Sequence, residues 1–161
     1  MFLEHVNLTV SDLQRSIELY SDLLGLHVRW QGTTANGNPA AHVGDDRCYL
    51  ALFQSSPELA APPKVDYNAV GLNHFGFVVD DLDAVRARLT KHGLSPHQEA
   101  DYEPGRRLYF CDPDGNAVEI CCDIAHLDET GEVDRAWHAD RLRRDGHDPE
   151  KVPLPPINRG G

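Results

Sequence analysis

The sequence predicts an α+β fold built from two copies of a strand–helix–strands unit. Three observations predict it. Residues 4–13, EHVNLTVSDL, superpose on residues 73–82, NHFGFVVDDL, at a constant offset of 69 residues. Each copy opens with apolar alternation and continues into an amphipathic helical stripe closed by Gly-Leu. A period near 70 present only twice is unlike a solenoid, and it suits a pseudo-symmetric sheet or barrel with equivalent residues around a shared centre.

The elements follow in order. From Glu4 to Val10, Val6, Leu8 and Val10 point one way, and His5, Asn7 and Thr9 the other. Ser11 is the expected N-cap of a helix whose stripe is Leu13, Ile17, Tyr20 and Leu24, with Gly25 at its end. Strands are expected at Leu26 to Trp30, Ala40 to Val43 and Arg47 to Phe53, with a turn at Gly32 to Pro39. These elements make residues 1–53 the first unit, and the Pro- and Ala-rich stretch 54–68 the linker. The second unit, 69–124, repeats the order. Asn73 to Val79 alternates, with His74 opposite Phe75 and Phe77. Asp80 or Asp81 caps a helix carrying Leu82, Val85 and Leu89, and Gly93 ends it. Strands follow at Ser95 to Asp101, Arg106 to Cys111 and Ala117 to Cys122, the last two joined by the turn Asp112-Pro113-Asp114-Gly115. In residues 125–161, Glu132 to Arg144 predicts a further helix with Trp137, and Gly146 to Gly161 an extended Pro-rich arm.

Composition narrows the function classes. With 161 residues, 40% hydrophobic and 25% charged, the chain is long enough for a true core and suits a soluble globular protein. No apolar run approaches the ~20 residues of a membrane helix, and MFLEHVNLTV lacks the layout of a signal peptide. A cytoplasmic protein with no membrane partner is therefore expected. The net charge of −11 argues against nucleic acid and is compatible with a metal or a cationic small molecule. The four cysteines, Cys48, Cys111, Cys121 and Cys122, form no C-x-x-C pair and are expected as reduced thiols.

Strand parity selects the chemistry. His5 lies opposite Val6 and Leu8, His74 opposite Phe75 and Phe77, and Glu119 between Val118 and Ile120. Helices must cover the apolar faces, so His5, His74 and Glu119 share the opposite, more polar surface. A carboxylate between apolar strand residues is costly unless compensated, and a metal ion compensates it directly. Two imidazoles and a carboxylate suit one divalent metal, with Fe(II) or Mn(II) favoured and Ni(II), Co(II) or Zn(II) compatible. Three protein ligands leave positions open for water or substrate.

The stretches EHVNLTVSDLQRSIELYSDLLGL, GLNHFGFVVDDLDAVRARLTKHGL and RRLYFCDPDGNAVEI resemble the vicinal oxygen chelate superfamily, also called the glyoxalase/bleomycin resistance/dioxygenase superfamily. The resemblance spans about residues 3–122. It implies two βαβββ modules forming a cupped mixed sheet around a metal, with ligands that fall on His5, His74 and Glu119. It also implies a homodimer in many members, where His5 of one subunit meets His74 and Glu119 of the other.

The branches of the superfamily differ at single positions. Glyoxalase I members carry a fourth ligand, normally glutamate, where this chain has Ala51, and the epimerase branch also places a polar ligand there. Fosfomycin-modifying members use three ligands but need a threonine where this chain has Asn7. Extradiol dioxygenases carry a tyrosine ten residues before the glutamate, the position of Tyr109. The preferred expectation is an extradiol-dioxygenase-like oxidoreductase acting on a small substrate with vicinal oxygens. Tyr109 or His97 would hydrogen-bond to the substrate or move a proton. Arg106 or Arg107 would hold an anionic group. Asn7 and Tyr49 would contact substrate, and Trp30, His42 and Tyr102 would shape the pocket. The alternatives are a glyoxalase-like lyase or thiol transferase, and a metal-free bleomycin-type protein sequestering a cationic small molecule.

Overall fold

A computed structural model describes residues 2–56, 68, 70–102, 105–122, 134–144 and 146–153. Strand β1 (His5–Val10) forms on the predicted alternation and turns Leu8 and Val10 into the core. It leads into helix α1 (Leu13–Leu24). The N-cap is Asp12 rather than Ser11. The Asp12 carboxylate accepts from Arg15 N, while Ser11 N donates to Asp114 in the second half of the chain. Gly25 closes the helix at φ 67°, a left-handed conformation that glycine adopts without steric cost. The buried stripe contains Leu13, Ile17, Tyr20 and Leu23, whereas Leu24 is only partly buried.

Strands β2 (His27–Thr33), β3 (Pro39–Gly44) and β4 (Tyr49–Gln54) complete a four-stranded sheet of order β1-β4-β3-β2. The expected turn at Gly32 to Pro39 is shorter, because β2 pairs through Thr33. Strands β1 and β4 run parallel, and the other neighbours are antiparallel. The second half repeats this arrangement with β5 (Phe75–Val78), α2 (Leu82–Lys91), β6 (Gln98–Tyr102), β7 (Gly105–Cys111) and β8 (Ala117–Cys122). Its order is β5-β8-β7-β6, again with a parallel first pair. Pairing begins at Phe75 opposite Val118, so His74 stands just ahead of the ladder. Asp81 is the N-cap of α2. The protein is thus α+β, with two βαβββ units.

The helices cover one face of each sheet. Leu8, Leu23, Val43, Leu50 and Leu52 join Val85, Leu89, Leu108, Phe110, Val118 and Ile120 in one continuous cluster. Each such side chain contributes about 1.5–3 kcal/mol by leaving water. Polar contacts lock the halves together on this helical side. Asp22 of α1 meets Lys91 Nζ at 3.1 Å and His92 Nε2 at 2.9 Å, and Arg88 Nη1 donates to Leu23 O at 3.0 Å.

The turn between β7 and β8 makes a further clasp. Its buried Asp112 accepts from Tyr20 OH of α1 at 2.9 Å and from Asn116 Nδ2 at 2.8 Å. The other Asp112 oxygen accepts from Asp114 N and Asn116 N. Burial, and then the Asp112 charge, raise the Tyr20 phenol well above its usual 10.0. Because the helices hold the units together, the two opposite sheet faces remain available for a site.

Beyond β8, helix α3 (Arg135–Arg144) starts at Asp134, whose carboxylate accepts from Ala136 N and Trp137 N. Most of the expected linker, residues 57–67, and the end of the Pro-rich arm, residues 154–161, lie outside the described residues. None of the four cysteines is in a disulfide, and Cys121 and Cys122 are buried. No helix among the described residues is long and apolar enough to cross a membrane.

Candidate active site

On the second sheet, β8 presents Glu119 between the buried Val118 and Ile120, with β5 on one side and β7 on the other. Glu119 pairs with Tyr109 across β7 and with Gly76 across β5. A Cβ on Gly76 would touch Glu119 Cβ at 3.5 Å and Oε2 at 3.7 Å, so a larger side chain there would overhang the carboxylate.

The two oxygens of Glu119 have different partners. Oε1 accepts from Arg107 Nε at 2.7 Å, Tyr109 OH at 3.0 Å and Cys121 Sγ at 3.2 Å. Oε2 lies 3.2 Å from His74 Nε2. Burial acts to raise the Glu119 carboxyl. Hydrogen bonds from Cys121 and Tyr109, with the charges of Arg107 and His74, outweigh it and hold the carboxyl below its usual 4.5. The Cys121 thiol is pushed up to about 12 by burial and by Glu119, so it stays a neutral donor.

On the first sheet, the matching face carries rings. His5 stacks on Tyr49 with centroids 4.9 Å apart, Tyr49 on His42 at 4.4 Å, and His42 meets Trp30 at 4.9 Å. The row crosses all four strands, and Arg29 lies 4.9 Å from the Tyr49 centroid. A Cβ on Gly32 would fall 2.5 Å from the Trp30 ring, so glycine lets the indole lie against the strand. Ala51, between Asn7 and His42 in the register, shares the face of the rings and is only 3% exposed. Burial, then the charges of His5 and Arg29, lower the His42 imidazole from its usual 6.5. His5 Nδ1 lies 2.8 Å from Glu4 Oε2.

The structure therefore brings together His74, Glu119, Tyr109 and Arg107. It places His5, Tyr49 and the exposed Asn7 on the other sheet. Among the described residues, no three His, Cys, Asp or Glu side chains of one chain are gathered to hold a metal ion. Arg106 departs from expectation. Alternation along β7 sends it to the face of the buried Leu108 and Phe110, away from Tyr109, so it cannot reach the same site. Arg107 is on the correct face, but it is engaged with Glu119 and Gly105 O. His97 is exposed, with its ring 6.5 Å from Tyr109 and its Nδ1 4.0 Å from Cys111 Sγ. The Tyr102 side chain lies outside the described residues. Sequence reasoning missed Cys121, although its parity with Glu119 two residues earlier would have found it. It also missed Arg29, which a shift in the β2–β3 register between Val28 and Trp30 obscures.

Residues 2–120 match the Glyoxalase/Bleomycin resistance protein/Dioxygenase superfamily, and the chain belongs to it. It is 31% identical over 123 residues to glutathione transferase FosA of Serratia marcescens, covering 73% of this chain and 78% of that protein. It is 28% identical over 122 residues to catechol-2,3-dioxygenase of Bacillus subtilis (strain 168), covering 74% of this chain but only 40% of that longer protein. The crystal structure of a glyoxylase/bleomycin resistance protein/dioxygenase domain from Frankia sp. EAN1pec superposes with a TM-score of 0.64 at 26% identity. The match covers 76% of this chain and 97% of that one.

Proposed function

We propose that this protein is a divalent-metal enzyme that adds dioxygen to an aromatic vicinal diol, with His5, His74 and Glu119 as the metal ligands. The observation that carries the reading is the His74–Glu119 pair. Nε2 and Oε2 stand 3.2 Å apart, close to the separation of about 3 Å for adjacent ligands each about 2.1 Å from one metal ion. The donor set of two imidazoles and one carboxylate, with open positions, suits Fe(II) or Mn(II), and Ni(II), Co(II) or Zn(II) as well. When bound, the metal supplies Lewis acidity and a site for the two substrate oxygens.

The remaining roles belong to the chain's own residues. His5 completes the ligand set from a partner subunit in a homodimer. A Glu4–His5 hydrogen bond made through Nδ1–H leaves the Nε2 lone pair for the metal. The dimer is supported by the separation of the ligands within one chain. It is further supported by exposed apolar residues leading into or ending the two edge strands: Phe2 and Leu3 at β1, Leu72 and Val78 at β5. Tyr109 OH gives its proton to Glu119 Oε1 and keeps its lone pairs to accept from a substrate hydroxyl. His97, exposed and with its ring 6.5 Å from that of Tyr109, would exchange protons with solvent. The Trp30–His42–Tyr49 row supports an aromatic substrate, because it lines the face that carries His5 with rings and ends in the half-exposed Trp30 indole.

A glyoxalase-like lyase or thiol transferase is the second reading. The similarity to glutathione transferase FosA favours it, and Ala51 in place of a fourth ligand weighs against the glyoxalase form. The test is anaerobic reconstitution with Fe(II) or Mn(II), followed by oxygen uptake on a panel of catechols and, in parallel, consumption of glutathione with electrophiles. Oxygen uptake matched one-to-one by ring-opened product supports the dioxygenase. Thiol consumption without oxygen uptake moves the assignment to transfer. Tight binding of a cationic small molecule by protein that takes up no metal would overturn the enzyme reading.

A further inference from the structure

The sequence offers Arg106 or Arg107 to hold an anionic group of the substrate. The contacts of Arg107 assign it elsewhere. Nε donates to Glu119 Oε1 at 2.7 Å, and Nη1 donates to the backbone carbonyl of Gly105 at 3.1 Å. Both side chains are sheltered, Arg107 at 12% and Glu119 at 14% exposure. Tyr109 and Cys121 donate to the same Oε1. The carboxylate therefore meets three donors through one oxygen, and turns the other to His74 Nε2 at 3.2 Å. A carboxylate oxygen surrounded by donors has little lone-pair capacity left for a cation. Partners that bond to a ligating carboxylate decide which oxygen it presents.

We propose that Arg107 is a positioning residue that keeps Glu119 a one-oxygen metal ligand. The inference rests on the metal reading above, and Arg107 acts only through Glu119. The carbonyl of Gly105, at the start of β7, anchors one end of the guanidinium. Alternation along β7 places Arg107 and Tyr109 side by side, so that both reach the same oxygen. Cys121, whose Sγ donates to the same Oε1 at 3.2 Å, completes the set.

A guanidinium beside a metal ligand has two opposed effects. Its charge repels a divalent cation, whereas its hydrogen bond orients the ligand. Removing the side chain separates them by sign: lost repulsion strengthens metal binding, and lost orientation weakens it. Orientation is the effect proposed here.

The experiment titrates Co(II) into metal-stripped wild type, Arg107→Met and Arg107→Lys, followed by calorimetry and by the visible absorption of the bound Co(II). Thermal unfolding of the metal-free proteins checks that each is folded. Arg107→Met is expected to bind Co(II) about 10–100-fold more weakly, the usual cost of losing such an outer partner. Its absorption bands should also shift, as Glu119 is released to turn both oxygens inward. Arg107→Lys keeps the charge but offers a single point donor, so it should fall between the two. Equal or tighter binding by Arg107→Met, with unchanged bands, overturns the proposal alone. Should Arg107→Met fail to fold, Arg107→Lys with wild-type affinity and bands overturns it equally. Wild type that takes up no Co(II) overturns the metal reading, and this inference with it.

Discussion

The two βαβββ units share one topology and carry opposite chemistry. By register, Ala51 in β4 is the counterpart of Glu119 in β8, and His42 in β3 of Tyr109 in β7. The first unit places a methyl where the second places a carboxylate. The methyl lies on the face along which His5, Tyr49, His42 and Trp30 line up. The carboxylate gathers Arg107, Tyr109, Cys121 and His74 around one charge. One repeat thus carries a row of rings, and the other a carboxylate ringed by donors. Neither face by itself holds all three of His5, His74 and Glu119.

The same contrast appears in the hairpin turns. Asp45, at the end of β3, is exposed and accepts from Arg47 N and Cys48 N. Asp112, its counterpart after β7, is buried and binds Tyr20 of the other unit. A turn that serves only its own hairpin became, in the second copy, a bond between units.

The largest effect expected from breaking this asymmetry is at Glu119. Glu119→Ala should reduce bound metal from near one ion per site to background by plasma mass spectrometry, while Ala51→Ser leaves it unchanged. Next come the two aspartates. Asp112→Ala strands buried donors in both units and should cost about 2–4 kcal/mol in urea unfolding. Asp45→Ala removes an exposed cap and should cost less than about 1 kcal/mol. Equal losses would show that the clasp carries no more than the ordinary turn.

A smaller effect is expected on the stacking surface. Trp30→Ala should raise KM for an aromatic substrate about tenfold, or about 1.4 kcal/mol, with kcat little changed. An unchanged KM would remove the row from substrate binding.

The smallest effect is at the alkaline end. The Tyr20 phenol is raised in the folded state by burial and by Asp112. Its contribution is therefore fully present below the unfolded value near 10, and is lost as the pH rises above that value toward the folded one. The thermal midpoint of wild type should fall over that range more steeply than that of Tyr20→Phe. Parallel curves would contradict the assignment.

Much of this was legible in the residues. The alternation of Val6, Leu8 and Val10, and of Phe75 and Phe77, located β1 and β5 and put His5 and His74 on the polar side, because strand side chains alternate strictly. The same rule separates Arg106 from Arg107, which stand on opposite faces of β7. Cap choice was less legible. Ser11 and Asp12 are both good caps, and the contact of Ser11 N with Asp114, 103 positions away, was invisible locally.

By itself, the sequence determined the repeated unit, its strand order of appearance and the face on which each candidate ligand stands. Those properties follow from local periodicity, which each residue expresses with its near neighbours. Only the tertiary structure decided that the units join through their helices and the β7–β8 turn. It also decided that Arg107 binds Glu119 rather than facing open space, and that His5 stands apart from His74 and Glu119 within one chain. Those outcomes depend on contacts between residues far apart in sequence, where packing of the shared core sets the distances.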